Sequence, residues 1–162
     1  MNKRAMTTIV LIALISALVT GGLLARAAGE SGGVIRGGGT TIVEGGTGVP
    51  SFDPVITKFA FNWRSGQGHF ECLALAPSAP AGEPESGNFD TNVMYVTGEI
   101  ESAEVGGRVA RFEGTATVTG LGAGENEPFT VRVTRGGPGA TLVLKISGLT
   151  FKEILLEGQI AF

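Results

Sequence analysis

Within 162 residues, 12 basic and 15 acidic side chains leave a formal net charge of −3, which excludes the broad basic surface that nucleic acids and anionic lipids bind. Cys72 is the single cysteine, so no disulfide closes within the chain and stability has to come from a packed core. Glycine, at 27 residues, outnumbers the acidic residues and points to a chain rich in turns.

Residues 1–27 read as an export signal. Lys3 and Arg4 form a positive start, Ile9 to Val19 is an uncharged apolar run, and Ala25-Arg26-Ala27 supplies the small residues a signal peptidase reads. Cleavage is expected after Ala27 or Ala28. The alternative is an uncleaved anchor, because Arg4 and Arg26 bracket a charge-free stretch close to the roughly 20 residues of a membrane span. Thr7, Thr8, Thr20, Gly21 and Gly22 weaken that span. No cysteine stands at the cleavage site to take a lipid, and Lys3-Arg4 is not a twin-arginine pair. Export places the mature chain outside the cytoplasm, secreted, at the cell surface or in a periplasm, with no membrane segment. Loss of Lys3, Arg4 and Arg26 leaves nine basic against 15 acidic side chains.

Residues 28–50 are Gly-rich. Val34-Ile35-Arg36 and Thr40-Thr41-Ile42-Val43 flank a triple glycine and suggest an irregular first strand, a bulged hairpin or a tether. Residues 51–162 form a single domain in which hydrophobic residues alternate with polar ones, the period of half-buried strands. Phe59, Phe61 and Trp63 share a face; so do Phe70, Cys72 and Ala74. Met94, Val96 and Ile100 follow, then Ala110, Phe112, Ala116 and Val118, then Phe129, Val131 and Val133, then Leu142, Leu144 and Ile146. Over 153–162 the same rule puts Ile154, Leu156, Ile160 and Phe162 on the apolar face. Gly106-Gly107, Gly120 to Gly124 and Arg135 to Gly139 punctuate the strands as turns, and residues 76–92 read as a long irregular surface loop. Seven or eight strands with short links imply an all-β domain, an antiparallel β-barrel or a barrel-like sandwich. Gly98, Gly114 and Gly158 interrupt patterned strands on the apolar parity, which is expected where a sheet bends sharply or an aromatic ring needs space.

The order GGGTTI (37–42), FAFN (59–62), GHFEC (68–72), VTGEI (96–100), ARFEG (110–114), FTVRV (129–133), GGPG (136–139) and LKISG (144–148) resembles a β-domain of secreted bacterial proteins. That domain stands alone or is appended to larger extracellular proteins. The resemblance covers most of residues 34–162 and implies the fold and an extracellular location. It brings no catalytic or binding residues, and many relatives carry a further cysteine that this chain lacks.

Chemistry has few places to reside. His69, Glu71 and Cys72 are the one local group of metal-type ligands. On a strand His69 and Glu71 point one way and Cys72 the other, so at most two share an ion, whereas stable zinc sites use three or four. His69 is the sole imidazole and has no nucleophile motif beside it. Glu83, Glu85 and Asp90 fall in the 76–92 loop without the spacing of a calcium loop. No glycine cluster joins a strand to a helix as a phosphate cradle does. The inward face reads as nearly free of charged or hydrogen-bonding groups. These observations lead to no catalytic residues, no metal ligands and no cofactor. The expected role is a non-enzymatic structural or interaction module whose partner is an extracellular protein or surface component. The alternative is a lipocalin-like barrel that carries an apolar small molecule.

Overall fold

A computed structural model of the chain describes residues 33–44 and 54–162. The signal segment 1–27 lies outside the described residues. Eight strands follow in order: β1 (Ile35–Val43), β2 (Ile56–Arg64), β3 (Gln67–Pro77), β4 (Phe89–Gly106), β5 (Val109–Gly120), β6 (Gly124–Thr134), β7 (Thr141–Ile146) and β8 (Leu149–Ala161). Each pairs antiparallel with the next, and β1 pairs with β8, so the sheet closes into an up-and-down barrel rather than a sandwich. Closure removes the free edges that an open sheet would expose.

Alternation sets the inside of the barrel. The residues expected to face inward on β2 through β7 are buried, from Phe59, Phe61 and Trp63 to Leu142, Leu144 and Ile146. The aromatic rings form a connected chain: Phe59 to Phe61 at 5.9 Å between centroids, Phe61 to Phe112 at 4.9 Å, Phe112 to Phe70 at 5.9 Å and Phe70 to Phe129 at 5.3 Å. Such contacts add to the burial of each ring, and a barrel of about eight strands is just wide enough for its own side chains to fill. The turns suit the strands. Ser65-Gly66 and Ser147-Gly148 each place two successive residues at positive φ, the two-residue hairpin turn whose twist matches that of the flanking strands.

Of the readings open for the segment around the triple glycine, the irregular first strand holds: 35–43 is one strand, hydrogen-bonded on both sides. Two expectations need correction. The irregular loop is shorter than 76–92, because Ala76 and Pro77 pair with Thr91 and Phe89, leaving 78–88 as the connection. The faces of β8 are inverted in its first half. Thr40 pairs with Glu157 but Thr41 pairs with Leu155, so Leu156 is an extra residue, and a one-residue bulge exchanges the two faces of a strand. Phe151, Glu153 and Leu155 therefore point inward, while Leu156 is 50% exposed. Gly158 lies beyond the bulge, where it pairs with Gly39 and keeps the parity of Ile160. It is exposed, and its φ of +119° lets it lie against Gly38 and Gly39 of β1. Gly98 and Gly114 are buried, as their parity requires.

Candidate functional site

The bulge in β8 carries a carboxylate into the interior. Glu153 is 3% exposed, and Thr41 and Thr57, at 0% and 2%, lie beside it. The sheet aligns these groups from strand to strand. Glu153 of β8 pairs with Val43 of β1, two residues from Thr41 on the same face; Thr41 pairs with Thr57 of β2; and Thr57 is two residues from Phe59, the partner of Cys72 on β3. A polar seam thus crosses β8, β1, β2 and β3 inside an otherwise apolar barrel. The expectation of a dry inward face fails here.

Proton counting defines the state of the seam. The Thr41 hydroxyl lies 3.2 Å from the Thr57 carbonyl oxygen and in short contact with Glu153 Oε2. A hydroxyl has one proton to give. Both contacts are hydrogen bonds at once only when Glu153 is protonated and donates to Thr41 Oγ1, while Thr41 donates to the Thr57 carbonyl. Burial acts in the same direction. It raises the Glu153 carboxyl from about 4.5 to about 7, against the bonds from Thr41 and Thr57 that favour the anion. No buried side-chain nitrogen or oxygen among the described residues lacks a hydrogen-bond partner, so the seam is satisfied internally.

Cys72 is 2% exposed. Burial first, then the charges of Glu153 and Glu71, push its thiol well above the ordinary value, against a backbone hydrogen bond at Val96. A buried thiol held in its protonated form is a poor nucleophile, since attack needs the thiolate. Native protein is expected to resist a thiol reagent that labels the unfolded chain fully, and rapid native labelling would contradict the burial. Cys72→Ser should cost about 1–3 kcal/mol in urea unfolding, because it buries a hydroxyl with no assured partner.

The other sequence candidates stay apart. His69 lies on the outer face, with Nδ1 3.2 Å from Glu99 Oε1 and Nε2 3.4 Å from Thr97 Oγ1. Glu71 accepts from the Tyr95 hydroxyl at 3.4 Å. Cys72 points inward, as parity requires. Glu83 and Glu85 fall in the 78–88 connection, whereas Asp90 belongs to β4 and accepts from the Ser78 hydroxyl. Among the described residues no three His, Cys, Asp or Glu side chains converge on a point that could hold a metal ion.

Outside the barrel, two grooves run over β4 to β8. One, of about 640 Å³, is lined by Glu101, Glu113, Glu127 and Lys145, among others; a second, of about 300 Å³, is lined by Arg111, Thr130, Arg132, Val143 and Lys145. No family model, curated protein or solved structure matches the chain.

Proposed function

We propose that this chain is exported, loses residues 1–27, and serves outside the cytoplasm as a non-enzymatic β-barrel module that works through its outer surface. The observation that carries this reading is the occupied interior. The chain of five phenylalanines from Phe59 to Phe129 lies inside the barrel, where a lipocalin-like carrier keeps space for its ligand. The inward polar groups are bonded to one another and offer nothing to a substrate. The resemblance of the motif order to a β-domain of secreted bacterial proteins and the signal-like N-terminus support the location.

Native mass spectrometry of the exported protein tests both parts. The expected mass begins at Ala28 or Gly29 and carries no small molecule. A stoichiometric apolar ligand would overturn the filled-interior reading, and a mass beginning at Met1 would overturn cleavage.

A further inference from the structure

The outer face of β5 to β8 gathers cations that the ladder does not neutralise. Arg111 of β5 lies directly opposite Arg132 of β6, Arg132 opposite Val143 of β7, and Val143 opposite Lys152 of β8. Lys145 stands on the same face of β7, between Thr130 and Thr150. All four cations are exposed. Like charges directly opposed in a sheet destabilise it, so stability gives no reason for the Arg111–Arg132 pair. Arg111 is bonded to Glu113. The one other ion pair among the described residues is His69–Glu99, which leaves Arg132, Lys145 and Lys152 without a carboxylate partner there.

We propose that this row binds an acidic polysaccharide carrying about one carboxylate per sugar, laid across the strands. Neighbouring strands lie about 4.8 Å apart, so the row offers cationic positions at steps of one or two strands. A sugar ring advances its polymer by a similar step. Val143 supplies an apolar floor for a ring face, and Thr130 and Thr150 supply hydroxyls beside Lys145. Duplex nucleic acid fits poorly. Its charge recurs about every 1.7 Å of axis, far denser than the row, and Glu104, opposite Arg111 on β4, closes one end with negative charge.

The assignment rests on the outer-surface reading above. Affinity electrophoresis through gels containing polygalacturonate tests it, with neutral dextran gels as the reference. Wild-type protein should be retarded by the polyuronate alone, less so as salt rises. The double variant Arg132→Gln/Lys152→Gln should bind at least about 10-fold more weakly, the equivalent of about 1.4 kcal/mol. Lys58→Gln/Arg64→Gln, the same charge change on β2, should leave binding within about twofold of wild type. No retardation of wild type overturns the proposal. So does equal weakening in both double variants, or retention by duplex DNA or anionic vesicles as strong as by polygalacturonate. Each of these outcomes leaves the filled-interior reading standing, while an apolar ligand in the interior overturns that reading alone.

Discussion

Gly114→Ala is expected to destabilise the barrel by about 3 kcal/mol, lowering the melting temperature by roughly 10 °C. The reason is backbone, not side chain. A Cβ built on Gly114 would fall on the carbonyl oxygen of Glu99, 2.9 Å from its carbonyl carbon and 3.1 Å from Cα of Ile100. None of these atoms can rotate away, so β4 and β5 must separate at this position. Gly98 is placed similarly, with a built Cβ 2.5 Å from the Thr115 carbonyl oxygen and 2.6 Å from Cβ of Ala116. The close approach bends β4 and β5 around two rings: Phe70 is the ladder partner of Gly98, Phe129 is the partner of Gly114, and the two rings stack. Gly106 is the matched control. It lies in the same strand pair with nothing within 4 Å of its built Cβ, so Gly106→Ala should change stability by less than about 0.5 kcal/mol. A Gly114→Ala variant that melted with wild type would mean that the strands have slack at this position.

The barrel was legible in the sequence wherever alternation ran unbroken. Phe59 to Trp63, Phe112 to Val118 and Leu142 to Ile146 fall on the inner face because each strand keeps its period across those residues. Closure was not legible, since barrel and sandwich use the same half-buried strands and differ only in whether β1 reaches β8. The polar seam was hidden by a single residue. Read through Leu156, alternation over β8 points Ile154 inward and Glu153 outward. One extra residue at the bulge reverses that first half and leaves Ile160 inward beyond it. A signal did exist. Thr41 has the parity of Val43, and Thr57 the parity of Phe59, so two hydroxyls stood at inward positions of adjacent strands and required a polar partner. The cationic row was invisible for a different reason. Arg111, Arg132 and Lys152 are far apart in the chain, and only the register of β5 to β8 aligns them.

Raising the pH from 5 to 8.5 should destabilise the wild-type protein by about 2.5 kcal/mol through Glu153, and Glu153→Gln should abolish that loss. The sign follows from the direction of the shift. The carboxyl is raised from an ordinary value of about 4.5 to about 7 in the folded state. Below 4.5 the folded and unfolded chains both hold the proton, and the full stability is present. Between 4.5 and 7 the unfolded chain has released the proton and the folded chain retains it, so stability falls with each unit of pH. Above 7 both states are ionised and the loss is complete. The physical loss is that of the relay from Glu153 to Thr41 to the Thr57 carbonyl: an ionised carboxylate draws the Thr41 proton, and the carbonyl forfeits that bond inside a closed barrel. Glutamine keeps the length of the side chain and can donate an N–H to Thr41 at every pH. It should therefore match wild type within about 1 kcal/mol at pH 5 and exceed it at pH 8.5. Cys72 does not confound the comparison, since its thiol titrates above this range. Urea midpoints of both proteins at the two pH values decide the matter. Parallel behaviour of wild type and Glu153→Gln would show that Glu153 ionises in the folded barrel as it does in water.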